Sequence, residues 1–292
     1  MNKSGFVSIV GRPNSGKSTL LNQLVGEKIS IVTNKPQTTR NIIKGIVTRG
    51  ESQVVFLDTP GIHKPIHKMN ERMMRFVRES MSEVDLILLI VDSTVPYGKG
   101  DEFTIELIKP LPTPKYLLLN KIDQIAKKDL LPIIERYAKL ADFKEVIPMS
   151  ALTGENVESV MLAILKDLKE GPMFYPEDQL SDQPARAISA EIVREKLIQL
   201  THDELPYSTA VIIDRFEEQE RINRIYCTIY VERESQKGII IGKGGALLKE
   251  VGTAARIELE KFFDMKIYLE LHVKVKKNWR DDEETLRHIG LN

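Results

Sequence analysis

Cysteine is almost missing from this chain. Cys227 is the single one among 292 residues, so there is no disulfide framework. A lone thiol in an alternating strand reads as a core or half-buried group, and such sparing use of cysteine suits a reducing cytoplasm. Net charge is absent as well: 42 Lys and Arg balance 42 Asp and Glu, so bulk charge points to no polyanionic partner. Long hydrophobic runs are lacking. The longest, Leu86–Val91, is far too short to cross a bilayer, and no signal-peptide apolar core precedes the first glycine-rich loop. There is no low-complexity tract and no internal repeat. His63 and His67 stand four apart with no third ligand in view, so they are not read as a metal pair. The single tryptophan, Trp279, follows the last expected strand and reads as a packing residue.

What is present begins with Gly11-Arg12-Pro13-Asn14-Ser15-Gly16-Lys17-Ser18, a complete G-x-x-x-x-G-K-S phosphate loop continued by Thr19. An apolar strand, Phe6–Val10, leads in, and Leu20, Leu21 and Leu24 at helical spacing lead out. In that context successive backbone N–H groups and a helix N-terminus wrap a polyphosphate. Lys17 reaches the β and γ oxygens, and the Ser18 hydroxyl is a ligand for Mg²⁺.

The base is read elsewhere. Asn120-Lys121-Ile122-Asp123 ends an apolar run, Lys115–Leu119. The Asp123 carboxylate can accept from both N1–H and the exocyclic amine of guanine, a donor pair that adenine lacks. Asn120 would brace the loops and the Lys121 stem would lie over the base. After a second short strand comes Ser150-Ala151-Leu152, whose backbone N–H groups suit the guanine O6. Between these elements lies Asp58-Thr59-Pro60-Gly61 at the end of the strand Val54–Leu57. Asp58 would hold Mg²⁺ through a water, and the Gly61 N–H would face the γ-phosphate. In the polar loop Pro36-Gln37-Thr38-Thr39-Arg40, Thr39 is expected to complete the metal shell. The expected catalytic set is therefore Lys17, Thr39 and Gly61, working on GTP and yielding GDP.

Together these pieces resemble the translation-factor-related class of small GTPases, which implies a doubly wound, mostly parallel sheet with nucleotide at the C-terminal strand ends. One departure matters. Ile62 follows Asp58–Gly61 where Ras-like enzymes place a water-orienting glutamine. GTPases with a hydrophobic residue here form a recognised group, many with G-x-P-N-x-G-K-S. Isoleucine cannot orient the water, so the catalytic side chain is absent, supplied by a partner, or replaced by an ion. Resemblance to this group implies that Asn14 helps hold a K⁺ ion acting where an arginine finger would; the alternative is that Asn14 only stabilises the loop.

Strands and amphipathic helices alternate through the first half, so residues 1–170 read as an α/β GTPase domain. Residues 171–185, with three prolines and little periodicity, read as an extended connector. Residues 186–292 change order: helix, strand Tyr207–Arg215, strand Arg224–Arg233, a glycine-rich loop, helix, and a strictly alternating strand from Ile267 to Val275. The order α-β-β-α-α-β with Ile240-Ile241-Gly242-Lys243-Gly244-Gly245 before the last helix resembles a type II KH domain. Bare glycine backbone and a helix N-terminus there let a single-stranded nucleic-acid backbone lie close, with Lys243 and Lys249 adding charge and the Ile239–Ile241 run walling a groove. Residues 171–292 carry 18 Lys and Arg against 22 Asp and Glu, so any basic character is local.

A GTPase domain followed by a type II KH domain closely resembles the bacterial Era family over essentially the whole chain. Q-T-T-R, D-T-P-G-I, N-K-I-D, S-A-L and I-I-G-K-G-G all agree with it. The resemblance implies a monomeric, cytoplasmic GTP-driven factor in assembly of the small ribosomal subunit. It would bind the 3′ end of small-subunit ribosomal RNA and touch the cytoplasmic face of the membrane peripherally. GTP would order the Thr39 loop and the segment after Gly61, change the packing between domains and so alter the RNA groove. Two other readings stay open: a GTPase serving another RNA or a membrane-linked process, and an RNA-binding module with an inactive nucleotide fold.

Overall fold

A computed structural model describes residues 2–33, 35, 38–201, 205 and 208–291. Pro36 and Gln37 of the polar loop, and Tyr207 at an expected strand start, lie outside the described residues. The chain divides into two compact units, Met1–Pro65 with Asn70–Asp182, and Ile66–Met69 with Gln183–Asn292.

The first unit is built on β1 (Lys3–Val10), β2 (Ile43–Arg49), β3 (Ser52–Asp58), β4 (Leu86–Asp92), β5 (Lys115–Asn120) and β6 (Glu145–Pro148), in the spatial order β2-β3-β1-β4-β5-β6. Only β2 runs antiparallel along this path. The helices are α1 (Lys17–Val25), α2 (Lys68–Ser82), α3 (Lys99–Ile108), α4 (Leu130–Ala138) and α5 (Val157–Asp167). A parallel strand covered on both faces must be apolar throughout, and β4 is. Leu86, Leu88 and Ile90 enter the core shared with α1 and α5, while Ile87, Leu89 and Val91 enter the core shared with α2, α3 and α4. The period of two thus deals one strand's side chains to two cores. Met73, Met74, Val77 and Met81 form the apolar stripe of α2, each under 3 % exposed.

The stretch after α5 is not a free connector. A two-residue strand, β7 (Lys169–Glu170), pairs with the start of β1, and the chain then straps itself across the sheet edge. Gln53, fully buried in β3, is the clasp: its Oε1 accepts from Phe174 N (2.8 Å) and Tyr175 N (3.0 Å), and its Nε2 donates to Tyr175 O (2.9 Å). Farther on, Ile46 N of the edge strand β2 donates to Leu180 O at 2.8 Å, and Lys44 pairs with Asp182. The strap covers hydrogen-bonding groups that an edge strand otherwise leaves open. The compact unit accordingly runs to Asp182, beyond the residue 170 expected from composition.

The second unit holds α6 (Ala185–Leu200), β8 (Ala210–Glu217), β9 (Ile222–Val231), α7 (Glu234–Ile241), α8 (Ala246–Phe263), β10 (Lys266–Val275) and α9 (Glu283–His288). Its sheet runs β10-β9-β8, with β9 antiparallel to β8 and parallel to β10. Ile225, Cys227, Ile229 and Val231 alternate into one core with Val193, Leu197, Val251, Ala255 and Leu259 of the helices. Trp279 is fully buried and donates its indole N–H to Ser208 O at 2.9 Å, a packing role with its polar tip satisfied.

Candidate functional site

A cleft of about 430 Å³ opens at the C-terminal ends of the parallel strands, a size suited to a small ligand. Its lining joins Pro13, Asn14, Gly16, Lys17, Ser18 and Thr19 of the glycine-rich loop to Thr39, Gly61, Asn120, Lys121, Ala151 and Leu152. Residues more than a hundred positions apart in sequence meet here because each stands at the end of a strand in one sheet.

Asn120 is the brace. Its Nδ2 donates to Ser15 O at 2.7 Å and its Oδ1 accepts from Ala151 N at 2.9 Å, tying the phosphate loop to the Ser150–Leu152 loop. The contact explains Gly16: a Cβ there would sit 2.1 Å from Asn120 Nδ2, and the residue has φ 102°, which favours glycine. The Ala151 N–H is thereby committed, as is that of Ser150, which donates to Glu155 O. Leu152 stands 69 % exposed at the rim. Lys121 is pinned by an ion pair to Asp92, which lays its stem along the cleft. Burial alone would raise the Asp92 carboxyl, but hydrogen bonds from Lys121 and Thr94 hold it below its usual range. Asp123 stands exposed in the short turn Ile122–Gln124.

At the phosphate end Lys17 is buried, and its Nζ donates to the carbonyls of Gly11 (3.2 Å) and Arg12 (2.9 Å). Burial lowers its pKa to about 8, with the nearby Asp58 charge opposing. Ser18 Oγ lies 2.8 Å from Thr39 Oγ1 and donates to Asp58 Oδ2 at 2.6 Å. Asp58 is fully buried, which raises its pKa, and its Oδ1 has no hydrogen-bond partner. Two hydroxyls beside a buried carboxylate with one oxygen left over form an all-oxygen donor set that fits a hydrated Mg²⁺. Sequence reasoning missed Ser30, which is buried and donates to Asp58 Oδ2 at 3.0 Å. Nothing local marks it: Asn22 of α1 folds the loop back by accepting from Ile29 N and Ser30 N.

Two residues expected to touch nucleotide, Thr59 and Arg12, make other contacts with their side chains. Thr59 is fully buried and donates to Ile9 O at 2.8 Å, and Pro60 beside it is also buried. Arg12 turns away from the cleft to Asp101. Gly61 packs so closely on the loop that a Cβ would lie 2.8 Å from Pro13 Cα, and Ile62 N donates to Gly11 O at 3.0 Å. Ile62 itself is 1 % exposed, in the core with Met74, Val77, Val91 and Ile105.

In the second unit Gly242, Gly244 and Gly245 all have positive φ (74°, 61° and 84°), and open space surrounds the Cβ positions of Gly244 and Gly245. No side chain caps α8, which starts at Ala246, so bare backbone and the positive end of an 18-residue helix face outward. Lys243 and Lys249 are exposed beside them. One residue is corrected: Ile240 is fully buried in the core, so it cannot wall a groove, and Ile239, 54 % exposed, stands outside in its place. The two project differently because the run forms the last turn of α7 rather than an extended wall. The basic cluster at the chain's end is partly neutralised within the unit, Lys276 pairing with Asp282 at 2.7 Å and Arg280 with Glu232 at 2.6 Å.

The geometry agrees with known proteins. Residues 6–121 match the family model described as 50S ribosome-binding GTPase, and residues 204–280 match that of the KH domain. The chain is 50 % identical to GTPase Era of Staphylococcus haemolyticus over 290 residues, 99 % of this chain and 97 % of the relative. It superposes on a crystal structure of Era in complex with MgGDPNP and nucleotides 1506–1542 of 16S ribosomal RNA. The TM-score is 0.97, with 42 % identity over 100 % of this chain and 99 % of the other. A tyrosine-to-alanine variant of Aquifex aeolicus Era bound to GDP·AlF₄⁻ matches with TM-score 0.95 and 42 % identity over 99 % of each chain.

Proposed function

This chain belongs to the Era family of GTPases, and on that premise we propose that it is a GTP-driven RNA-binding factor in assembly of the small ribosomal subunit. The Gly242–Gly245 loop takes the 3′ end of the small-subunit ribosomal RNA. One observation carries the reading: a braced guanine-nucleotide cleft and an open glycine hairpin at the head of an uncapped helix occur in the same chain. The 16S fragment held by the Era relative supports the choice of RNA. The family description that names the 50S particle spans only residues 6–121, outside the RNA-binding half.

In hydrolysis a water oxygen attacks the γ-phosphorus, and the bond from that phosphorus to the bridging oxygen breaks, leaving its electrons on GDP. Lys17 exchanges its two carbonyl partners for β and γ oxygens, and the Gly61 N–H faces the γ-phosphate. Ser18, Thr39 and Asp58 hold Mg²⁺, which supplies neutralisation of the charge shared by the β and γ oxygens. Ile62 is buried away from the cleft and cannot orient the water. Ile62→Gln is therefore expected to leave turnover unimproved and to cost about 2–4 kcal/mol of stability by placing an amide in the core. Thermal unfolding and single-turnover hydrolysis check this; faster hydrolysis with unchanged stability would show that position 62 reaches the nucleotide.

Asn14, which lines the cleft in a left-handed conformation (φ 63°), would help hold a K⁺ ion, and that ion would supply the positive charge the chain itself does not place there. Turnover at equal ionic strength should be at least about tenfold faster in KCl than in NaCl, the scale of one charge placed beside the breaking bond. Equal rates would remove the ion from the mechanism.

The protein works as a cytoplasmic monomer with peripheral contact to the inner face of the membrane; no described helix is long and apolar enough to cross one. Because coupling between two binding sites is reciprocal, RNA affinity and GTP affinity should rise together, by about 5- to 150-fold. Titrating a 16S 3′-end oligonucleotide in the presence of GDP or a non-hydrolysable GTP analogue measures this. Equal affinities would sink the switch, and undiminished RNA binding by Gly245→Asp would sink the groove.

A further inference from the structure

Tyr97-Gly98-Lys99-Gly100-Asp101 opens α3, and no role in nucleotide chemistry accounts for it. Asp101 is 5 % exposed, an expensive place for a carboxylate without partners. Its Oδ2 accepts from Arg12 Nη1 at 2.7 Å and from the Gly98 backbone N–H at 2.9 Å. Burial first, and then the charge of this carboxylate, raise the pKa of the neighbouring Tyr137 of α4. To reach it, the Arg12 side chain lies flat across Gly100, where a Cβ would stand 2.9 Å from Nε and 3.4 Å from Cζ. Any larger residue at position 100 would lift the guanidinium off its path.

The backbone of Arg12 faces the opposite way. Its carbonyl accepts from Lys17 Nζ at 2.9 Å, and the next residue, Pro13, backs directly onto Gly61. The Arg12–Pro13 peptide is thus pinned on one side by the start of α3 and on the other by Lys17 and Gly61. When Lys17 turns to a phosphate, the Arg12 carbonyl keeps only the long bond it accepts from Ser15 N at 3.4 Å. The ion pair to Asp101 is then the tether that keeps this peptide in its cradle.

We propose that Arg12 and Asp101 form a clamp by which the start of α3 holds the phosphate loop closed, so that the strength of this pair sets the rate of guanine-nucleotide release. Arg12 acts here as a positioning residue through its side chain, and Gly100 is the gap that lets it pass. Breaking the clamp lets the loop open without removing any group that touches the nucleotide. The inference rests on nucleotide occupying the cleft described above. A wild-type protein that failed to bind GDP at all would overturn that reading, whereas a clamp without effect would leave it standing.

The test is the dissociation rate of a fluorescent N-methylanthraniloyl GDP from the full-length protein. Asp101→Asn keeps an acceptor for the Gly98 N–H but removes the charge. It should speed release about tenfold, as expected for loss of one partly buried charge-assisted hydrogen bond, and raise KM while leaving kcat within about twofold. Gly100→Ala, which leaves both charged partners in place, should speed release to a similar extent. Arg12→Gln should do the same, and Arg12→Gln with Asp101→Asn should release no faster than either alone, because one interaction cannot be lost twice. Arg12→Lys should recover part of the slow release. Unchanged dissociation in Asp101→Asn and Gly100→Ala, or fully additive effects in the double variant, would overturn the clamp. If Asp101→Asn fails to fold, Gly100→Ala and Arg12→Gln decide by the same measurement.

Discussion

Asp123→Asn is expected to lower affinity for GTP and GDP by about 10²- to 10⁴-fold and to create affinity for xanthine nucleotides. In the proposed pose the carboxylate would accept two charge-assisted hydrogen bonds, from N1–H and from the exocyclic amine of guanine. An asparagine side chain accepts one and turns its own NH₂ toward the amine of the base, donor against donor. Xanthine has a carbonyl oxygen at that carbon, so donor meets acceptor and the pair is restored. Asp123 is exposed in its turn and supports no core contact, so the loss should appear in binding and not in folding. Calorimetry with GDP, XDP and ADP reads the outcome. Undiminished GDP binding by the variant would remove the base-recognition assignment.

Lys17→Ala is expected to reduce kcat/KM for GTP by about 10³-fold or more, since the site loses the ammonium that meets charge developing at the β and γ oxygens. Lys17→Arg should not restore it, because a planar guanidinium does not fit a space shaped for a point charge beneath the loop. The wild-type protein carries a second signature. Burial brings Lys17 to about 8 in the absence of nucleotide, against the opposing pull of Asp58. A bound polyphosphate favours the ammonium and raises that value. Binding above this pH therefore takes up a proton, so nucleotide affinity should fall as pH rises through about 8, approaching tenfold per unit. Calorimetry in buffers of different ionisation enthalpy should register the uptake, and Lys17→Ala should show none of it. A wild-type affinity flat from pH 7 to 9 would place the Lys17 proton outside the binding equilibrium.

Much of this molecule is legible in one dimension. Hydrophobic period separates β4 from α2 without ambiguity, and the glycine-rich loop, N-K-I-D and D-T-P-G announce their chemistry because each needs particular residue types within a few positions. The strap after α5 was not legible. Proline and weak periodicity describe Gly171–Asp182 as a connector, and it is the burial of Gln53 beneath Phe174 and Tyr175, with the Ile46–Leu180 and Lys44–Asp182 contacts, that shows it belongs to the first unit. A glutamine in an otherwise apolar strand was the one available hint, and a polar residue beginning a strand is ordinary. In the same way the run Ile239–Ile241 gave no sign of which isoleucine faces solvent, because three identical side chains carry no pattern.

The amino-acid sequence by itself determined the two-part architecture, the guanine-nucleotide cleft and the open glycine hairpin, since these depend on local periodicity and on short motifs whose spacing is their geometry. The tertiary structure alone decided that Ser30 joins Asp58, that Ala151 spends its N–H on Asn120, that Ile240 is core, and that Arg12 reaches across Gly100 to Asp101. Each of those outcomes is a contact between residues on different elements. Burial makes an unpaired polar group costly, so partners are chosen by what the packed elements bring within reach, and chain order holds no record of that distance.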